Sequence, residues 1–269
     1  MTGRVLIVAG SDSGGGAGIQ ADIKAVTALG AFAMTAVTAL TAQNTLGVHG
    51  VVGIEPAFIG QQMAVVLDDL GADAIKTGML HSVPVIEAVC DGIARRARGL
   101  PLVVDPVMVA KGGHPLLDPD AVGTLKARLL PLATVITPNL PEAEVLTGRP
   151  IRDLAGMRDA AAALRGLGVP AVLLKGGHLE GGTVTDLLVT AAGSEEFTDP
   201  RIDTRHTHGT GCTLASAIAA GLAQGMALRA AVARARAYVR AAIAAAPGYG
   251  AGHGPLDHGV TFDPARLVG

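Results

Sequence analysis

The sequence alternates short apolar runs with amphipathic runs of helical spacing through most of its length. The apolar runs predict strands at residues 5–10, 33–40, 72–79, 100–108, 134–139 and 171–177. The amphipathic runs predict helices at residues 18–30, 56–71, 82–99, 118–133 and 153–168. Strands that are apolar on both faces and separated by helices are typical of a parallel sheet covered on both sides. We therefore predict one doubly wound α/β domain over residues 1–269, which binds ligands at the carboxyl ends of its strands.

Several predicted helices begin with recognisable capping signals. Ser82 and Asp118 stand at predicted N-caps, each with a proline close inside the helix. The Ala-rich segment 212–247 predicts two further helices near the end of the chain. These signals fix the predicted helix starts independently of the hydrophobic pattern.

Composition excludes several classes of partner. The net charge of −2 and the lack of a sustained basic run argue against nucleic acid. Aromatic residues make up 2% of the chain and Trp is absent, so base-stacking surfaces are not expected. Two cysteines cannot form a disulfide framework, which favours the reducing cytoplasm.

One stretch is long enough to raise the question of a membrane span. Residues 25–54 contain no Asp, Glu, Lys or Arg. The same stretch holds five threonines, four glycines, Gln43 and Asn44. It is better interpreted as a helix end, a turn and a buried strand, and the start of the chain lacks the pattern of a signal peptide. No membrane association is expected.

The first predicted strand ends in the glycine-rich segment AGSDSGGGAGIQAD (9–22). Its glycines formally fit a dinucleotide fingerprint, but no acidic residue follows at the distance that a ribose partner requires. The phosphate-binding pattern that ends in Gly-Lys-Ser/Thr is not present either. A plain tight turn is one interpretation, and a turn that lets a small ligand approach the backbone is the one we favour.

Polar residues stand at or just after the ends of two further predicted strands. The amide of Gln43, in TAQNT (41–45), can donate and accept side by side, which matches an aminopyrimidine edge, although such an amide is also common in loops. Asp105 ends a buried strand and Lys111 follows in a glycine-containing loop. Asp105 could hold Mg²⁺, and Lys111 could belong to a loop that closes over phosphates. Alternatively, Asp105 caps a helix or turn and Lys111 is simply exposed to solvent.

Two later motifs also allow either a structural or a ligand-binding interpretation. In TPNLPEAEVL (137–146), Asn139 and Glu142 form a candidate capping box, and the carboxylate could instead organise Mg²⁺ and its waters. In LLKGGH (173–178), Lys175 precedes two glycines and suits contact with phosphates, as well as simple exposure in a loop.

HGTGC (208–212) opens the first Ala-rich helix. A helix N-terminus offers unpaired N–H groups and the positive end of the helix dipole, and the glycines at 209 and 211 let an anion approach them. The segment can therefore stabilise charge on a transferred phosphoryl group. The same position predicts a lowered pKa for the Cys212 thiol.

Three other interpretations of Cys212 stand beside this one. A cysteine hydrolase with His206 or His208 as base has no third orienting motif. A zinc site made of these three residues has no fourth ligand at a familiar spacing. A buried structural cysteine is the remaining alternative, and it is the one expected for Cys90.

Taken in order, these motifs resemble the ribokinase-like superfamily and, within it, the hydroxymethylpyrimidine/phosphomethylpyrimidine kinases. The resemblance also includes TALTAQNT, KTGML (76–80), DPVMVAKGGHPLL (105–117) and GYGAGHGPLDH (248–258), so it covers almost the whole chain. One departure is Gly14, where the family more often has Ser, and this departure predicts a looser first turn. The resemblance implies a kinase that uses ATP and Mg²⁺ to phosphorylate 4-amino-5-hydroxymethyl-2-methylpyrimidine and then its monophosphate, in thiamine biosynthesis.

The resemblance also implies a role for each matching residue. Gln43 pairs with the aminopyrimidine, in a pocket lined by Gly10, Ala17, Met79 and Val107. Cys212 stands where most of the superfamily has the Asp that accepts the substrate proton, and the backbone of Gly209, Thr210, Gly211 and Cys212 forms an anion hole. Lys175, Lys111 and Asn139 belong to the ATP site, and Asp105 and Glu142 organise Mg²⁺. Such kinases are often homodimers.

Two alternatives remain at this point. Relatives with the Gly-Thr-Gly-Cys motif include pyridoxal kinases, against which Gln43 favours an aminopyrimidine. A non-catalytic pyrimidine-binding regulator is disfavoured because Lys175, Glu142 and the anion hole are all present. The residues leave open whether Cys212 removes a proton, because a thiolate is a modest base and a hydroxymethyl group a poor acid.

Overall fold

A computed structural model describes residues 3–110 and 112–263 of the chain. Its strands are β1 (Arg4–Asp12), β2 (Phe32–Asn44), β3 (Gly47–Gly53), β4 (Ala74–Thr77), β5 (Leu102–Val104), β6 (Val135–Ile136), β7 (Val172–Leu174), β8 (Thr183–Thr190) and β9 (Gly193–Pro200). Its helices are α1 (Gly18–Ala28), α2 (Pro56–Asp69), α3 (Val83–Arg96), α4 (Ala121–Thr124), α5 (Leu140–Thr147), α6 (Leu154–Arg165), α7 (Thr210–Ala223) and α8 (Leu228–Ala244).

The strands form one mixed sheet in the order β3-β2-β1-β4-β5-β6-β7-β8-β9. The six strands from β2 to β7 in this order are parallel, while β3, β8 and β9 pair antiparallel at the two edges. The chain leaves β1 towards β2 on one side and returns to β4 on the other, so the strand order reverses between β1 and β4. Ligands of such sheets bind in the crevice at this reversal.

Helices cover both faces of the sheet, as predicted. Along β1, Val5 and Ile7 pack with α1, α7 and α8 on one face. Leu6 and Val8 pack with α2, α3 and later helices on the other face. Side chains of a strand point alternately to its two faces, so a run that is apolar throughout serves two cores at once. The sequence pattern thus predicted the layered architecture correctly.

The prediction of one continuous α-helix at 118–133 is wrong. The segment begins as α4, continues as a π-helical turn over Leu125–Leu129 and ends as a 3-10 turn over Leu130–Leu132. Pro131 has no N–H to donate, so an α-helix cannot continue regularly through this point. Asp118 is not the cap, because Asp120 precedes the helix. Ser82 does occupy the N-cap of α3, but its side chain makes no capping hydrogen bond.

The edge strands were not predicted. β3 contains three glycines in seven residues, and β9 is polar and largely exposed, so neither has the apolar pattern of a central strand. Residues 25–54 form the end of α1 followed by β2 and β3, in agreement with the non-membrane interpretation. Among the described residues, no helix is both long enough and apolar enough to cross a bilayer.

Candidate active site

A pocket of about 840 Å³ lies along the carboxyl ends of the parallel strands. It brings together every predicted site residue that the structure describes: Gly10, Ala17, Gln43, Met79, Val107, Asp105, Asn139, Glu142, Lys175, Gly209, Thr210, Gly211 and Cys212. The remaining predicted residue, Lys111, lies outside the described residues. Motifs spread over two hundred positions of sequence therefore converge on one cavity.

Backbone hydrogen bonds between neighbouring strands hold the charged side chains in place. The N–H of Asp105 donates to the carbonyl of Thr77 at 3.0 Å, one residue beyond the end of β5. The N–H of Lys175 donates to the carbonyl of Pro138 at 2.9 Å, directly after β7. Asp105 and Lys175 thus stand directly after the last residues of their strands, where a backbone hydrogen bond to the neighbouring segment fixes each position.

The start of α7 closes one side of the pocket. Gly209 has a φ of 83° at the N-cap, and a Cβ there would overlap the carbonyl oxygen of Gly16. A Cβ at Gly211 would lie 3.1 Å from Nζ of Lys175 and 3.6 Å from a carboxylate oxygen of Asp105. The two glycines therefore let the helix N-terminus approach both the first turn and the charged cluster, and they leave its N–H groups accessible to an anion.

Asp105, Lys175 and Glu142 form that charged cluster. Lys175 Nζ donates to Asp105 Oδ1 at 3.0 Å, and the hydroxyl of Thr137 donates to the same oxygen at 3.1 Å. Burial lowers the pKa of Lys175, but Asp105 and Glu142 outweigh burial and raise it, so the lysine stays charged. Burial raises the pKa of Glu142 to about 7, against the opposing charge of Lys175 and with a contribution from Asp105.

The capping box predicted at α5 is present. The Glu142 N–H donates to Asn139 Oδ1 at 2.9 Å, and the Asn139 N–H donates to Glu142 Oε2 at 2.7 Å. Glu142 is nevertheless a pocket residue with a second carboxylate oxygen. The capping and ligand-binding interpretations are therefore compatible, because the cap fixes the position of the carboxylate.

Asp105 and Glu142 line the same pocket and the charge of Asp105 contributes to the raised pKa of Glu142, which is a favourable setting for a hard divalent cation. Among the described residues, no group of three or more His, Cys, Asp or Glu side chains could hold a metal ion by itself. Mg²⁺ commonly binds to one or two carboxylates together with substrate phosphates and waters. The donor set at Asp105 and Glu142 fits that mode.

A second lysine–aspartate pair lies beneath α7. Lys76 Nζ donates to both carboxylate oxygens of Asp22, at 2.8 and 2.9 Å, and both side chains have 0% exposure. The hydroxyl of Ser216 also donates to Asp22, at 2.7 Å. Burial lowers the pKa of Lys76, but the charge of Asp22 outweighs burial and raises it. A fully buried ion pair is thus fixed beside the start of the pocket's anion-facing helix, with Lys76 among the residues that line the pocket.

Cys212 lies between the two lysines at the start of α7. Burial raises the pKa of its thiol to about 12, although the charge of Lys76 and the Gly18 N–H act in the opposite direction. The predicted lowering of this pKa is therefore wrong. The helix dipole and the nearby lysine favour the thiolate, but loss of hydration costs more at this position. Cys90 is buried in α3, as expected for a structural cysteine.

The first glycine-rich turn is organised by Asp12. Its carboxylate accepts hydrogen bonds from the N–H groups of Gly14, Gly16 and Ala17, at 2.8 to 3.1 Å. It also lies 2.9 Å from Nε2 of His208, from the segment that precedes the anion hole. His208 thus pairs with Asp12 instead of acting on Cys212, which argues against a Cys–His hydrolase.

The sequence patterns did not identify Lys76, Asp22 or Asp12 as site residues, and they suggested His208 only as the base of a cysteine hydrolase or as a zinc ligand. Lys76 carried a usable signal, because a charge inside the apolar run ADAIKTGM (72–79) requires a buried partner. Asp22 is the matching signal in α1, whose neighbouring residues are apolar. The pairing of Asp12 with His208 had no comparable signal, since 196 positions separate them.

Comparison with known proteins agrees with this geometry. The family model of phosphomethylpyrimidine kinase matches residues 12–257. The chain belongs to this family. It is 48% identical to the hydroxymethylpyrimidine/phosphomethylpyrimidine kinase of Bacillus subtilis, over 95% of this chain and 94% of that protein. It is 54% identical to the thiamine biosynthesis bifunctional protein ThiED of Geobacter sulfurreducens, over 98% of this chain but only 54% of that longer protein.

Solved structures of two kinases resemble the fold closely. The ADP complex of Bacillus subtilis pyridoxal kinase has a TM-score of 0.89 and 38% identity, and the match covers 99% of this chain and 100% of that one. The phosphomethylpyrimidine kinase of Clostridium difficile has a TM-score of 0.78 and 39% identity, covering 88% and 97% of the two chains. The ribokinase-like architecture expected from the motifs is thereby confirmed.

Proposed function

We propose that the protein phosphorylates the hydroxyl of 4-amino-5-hydroxymethyl-2-methylpyrimidine with ATP, and then phosphorylates the resulting monophosphate, in thiamine biosynthesis. The observation that carries the proposal is the layout of the pocket. A primary amide, a helix N-terminus and a lysine–carboxylate cluster all face one continuous cavity. The family membership and the names of the relatives support the same reaction.

The pocket divides into two ends by the chemistry of its walls. Gly10, Ala17, Gln43, Met79 and Val107 give one end a mostly apolar wall with a single amide. Such a wall suits a small heteroaromatic ring, because ring faces need apolar contact and ring nitrogens need one or two hydrogen bonds. We assign this end to the pyrimidine.

The other end suits the phosphates of ATP. Lys175 carries the positive charge, Asn139 and Glu142 stand at the start of α5, and Asp105 lies next to Lys175. Bound Mg²⁺ would neutralise charge on the transferred phosphoryl group and its leaving oxygen. Asp105 and Glu142 would hold the ion, and Lys175 would turn from Asp105 towards a phosphate oxygen. Lys111 remains a proposed phosphate contact.

The backbone from Gly209 to Cys212 lies between these two ends. Its free N–H groups can stabilise the charge of the phosphoryl group in transit, which is the main requirement of this reaction. Cys212 would contact the substrate hydroxyl. With a pKa of about 12, the Cys212 group is a thiol at neutral pH, so we assign it to positioning the hydroxyl and not to removing a proton beforehand.

Pyridoxal phosphorylation is the second candidate function. It is supported by the TM-score of 0.89 to pyridoxal kinase structures, including one with pyridoxal bound. The two substrates differ at the edge that Gln43 would meet. An aminopyrimidine offers a donor beside an acceptor, which a primary amide can match with two hydrogen bonds, and pyridoxal lacks that donor. We therefore place the pyrimidine first.

The test is a measurement of ADP release from ATP with the pyrimidine, its monophosphate and pyridoxal, each in parallel. We expect turnover with both pyrimidines and a lower kcat/KM with pyridoxal. Turnover with pyridoxal alone would overturn the proposal in favour of the second candidate. Tight pyrimidine binding without ADP release from any substrate would indicate the non-catalytic regulator.

We also propose a cytoplasmic homodimer. Apolar side chains are exposed along β2, β3 and α2, namely Leu40, Val51, Val52, Phe58 and Val65. Several exposed large apolar side chains on neighbouring elements are a feature of protein interfaces. Sedimentation analysis would show a species of twice the 26.9 kDa chain mass if the proposal is right.

A further inference from the structure

The backbone of Lys175 is held on both sides. Its own N–H donates to the carbonyl of Pro138 at 2.9 Å, which fixes the peptide group before it. The next N–H, that of Gly176, donates to Oδ1 of Asp186 at 2.9 Å, which fixes the peptide group after it. A residue has only two soft backbone dihedrals, so fixing both neighbouring peptide groups also fixes the direction of its Cα–Cβ bond. The lysine side chain therefore leaves the backbone in one set direction.

Gly176 lies directly against β8. A Cβ at this position would overlap the carbonyl oxygen of Thr185. Asp186 follows Thr185 in β8, and its buried carboxylate accepts the Gly176 N–H. A buried backbone N–H that lacks an acceptor costs free energy, so this carboxylate is the partner that the loop after β7 requires. The position of the Lys175 backbone thus depends on the position of the Asp186 side chain.

Arg236 of α8 holds that carboxylate. Its Nε donates to Asp186 Oδ2 at 2.8 Å, so the two oxygens of the carboxylate have separate partners. The side chains of Arg236 and Asp186 are only 10% and 11% exposed. A buried carboxylate needs a counter-charge, and the guanidinium supplies it. Without the arginine, we expect the carboxylate to turn towards water and to release the Gly176 N–H.

Strand β9 in turn holds Arg236. Its Nη1 donates to Asp199 at 2.8 Å and its Nη2 to the carbonyl of Phe197 at 2.9 Å. The guanidinium carbon lies 5.3 Å from the centroid of the Phe197 ring, which is within the range of a cation–π contact. Asp186 and Phe197 are partners in the pairing of β8 with β9. These two strands, which the proposed reaction does not otherwise use, therefore support the arginine.

We propose that Arg236 is a positioning residue for Lys175, which acts through Asp186 and the Gly176 N–H. The inference rests on the proposed function, in which Lys175 contacts a phosphate of ATP. Arg236 and Asp186 both line the pocket, but the guanidinium donates from all three of its nitrogens to protein acceptors. Its role is to hold Asp186, and the nucleotide is bound by the lysine.

A fixed backbone is useful to a lysine that has to change partners. The Lys175 side chain lies 3.0 Å from Asp105 and must leave it to reach a phosphate oxygen. If its Cα–Cβ bond already points into the pocket, only the side-chain torsions change on binding. Less order then has to be created when the phosphate binds, and the affinity for phosphate is higher.

The test is a double-mutant cycle on nucleotide binding, measured by calorimetry without the pyrimidine. The ligands are adenosine and the β,γ-methylene analogue of ATP with Mg²⁺. The variants are Arg236→Met, Lys175→Met and the two combined. We expect Arg236→Met to weaken binding of the ATP analogue about tenfold, the coupling typical of residues in one hydrogen-bond network, and to leave binding of adenosine nearly unchanged. In the Lys175→Met background, Arg236→Met should have little further effect.

Arg229→Met is the matched control. Arg229 lies on the same helix and pairs with Glu195 of β9, in an ion pair whose side chains are 68% and 36% exposed. Its removal breaks an arginine–carboxylate contact between α8 and β9 and leaves Asp186 in place, so binding of the analogue should not change. Arg236→Lys keeps a positive charge beside Asp186 and should retain most of the affinity. If circular dichroism shows that Arg236→Met does not fold, Arg236→Lys replaces it in the cycle, with the same pattern at smaller amplitude.

The possible outcomes separate the inference from the proposed function. An equal loss of affinity for adenosine and the ATP analogue would show that Arg236 stabilises the fold or contacts the nucleoside. A full loss in the Lys175→Met background would show that it acts independently of the lysine, and either result overturns the positioning role. Unchanged binding of the analogue by Lys175→Met would overturn both the phosphate contact and the inference. Binding of the analogue by an unmodified protein that releases no ADP with any substrate would reject only the proposed reaction.

Discussion

The candidate active site contains two lysine–aspartate ion pairs, which differ in their exposure to solvent and in their number of hydrogen bonds. The pair of Lys76 and Asp22 has 0% exposure on both side chains and uses both carboxylate oxygens, with Ser216 as a third donor. The pair of Lys175 and Asp105 has 15% and 3% exposure and a single 3.0 Å contact. The first pair is closed to solvent, while Lys175 of the second pair is partly exposed in the pocket.

The difference in exposure indicates that one pair is structural and the other binds ligands. Both carboxylate oxygens of Asp22 are hydrogen-bonded inside the protein and neither side chain is exposed, so we infer that this pair has a structural role beneath α7. The partly exposed pair can exchange its internal contact for a phosphate oxygen or a cation. The identity of the residues alone therefore does not show whether an ion pair in an active site binds a ligand. Its exposure to the pocket must also be known.

The largest effect is expected from Lys76→Met. The substitution leaves Asp22 buried without a counter-ion, which costs about 3–5 kcal/mol of unfolding free energy. Denaturant unfolding followed by circular dichroism measures this loss. The double variant Asp22→Leu with Lys76→Met removes both charges and should recover most of the stability. A single variant as stable as the unmodified protein would contradict the structural role of this pair.

Lys175→Met should act mainly on catalysis. We expect kcat/KM to fall by about 10²–10³-fold, as for loss of one charged group that stabilises the transition state. Its unfolding free energy should change less than that of Lys76→Met, because Asp105 lies at the pocket and can be hydrated. Steady-state kinetics and denaturant unfolding on the same samples provide the comparison. Equal destabilisation by the two substitutions would abolish the distinction between the pairs.

The stability of the ligand-free protein should depend on pH through Glu142. Its pKa is raised to about 7 in the folded state, above the ordinary value of 4.5, so the folded state holds the proton more tightly. The stabilisation from this proton is complete below pH 4.5 and disappears as the pH rises through 7. The slope is at most about 1.4 kcal/mol per pH unit.

The variant Glu142→Gln isolates this contribution. It has no proton to lose, so its unfolding free energy should decline less steeply over the same interval. Denaturant unfolding at a series of pH values, for both proteins, gives the difference. Parallel curves would show that Glu142 keeps an ordinary pKa in the folded protein.

The smallest effect is expected at Cys212, which lies between the two pairs. Cys212→Ala should lower kcat by about tenfold, the loss expected for a hydrogen bond that positions the hydroxyl. Cys212→Ser keeps a hydroxyl donor and should retain more activity. Because burial raises the pKa of this thiol to about 12, the kcat profile should show no thiol ionisation near neutral pH. A profile that follows such an ionisation would restore the base role.

Local patterns predicted the central sheet and the polar and glycine-rich motifs of the pocket, because both depend on short stretches of sequence. The pocket residues Gly10, Ala17, Met79 and Val107 were expected only from the family resemblance. Apolar runs identified the parallel strands, and the capping box at Asn139 and Glu142 was visible from its spacing. Glycines on either side of Thr210 correctly indicated an accessible helix start. Each of these signals lies within a few residues of the feature that it predicts.

The remaining features depend on contacts between distant segments. The pKa of Cys212 was predicted in the wrong direction because the helix position is a local feature, whereas the loss of hydration that raises the pKa depends on distant segments that pack around the thiol. Edge strands such as β9 are exposed and carry no core pattern. The segment 118–133 was predicted as one regular helix, but Pro131 interrupts it and the preceding turn is π-helical.

The contact of Asp12 with His208 has a consequence for synthesis of the protein. The two residues are 196 positions apart, so the floor of the substrate pocket joins the beginning of the chain to its last quarter. During translation, the first glycine turn leaves the ribosome long before its partner has been made. A nascent chain that ends before His208 lacks this contact, and it also lacks the anion hole. Substrate can therefore assist folding only late in elongation, after the segment from His208 to Cys212 has left the ribosome.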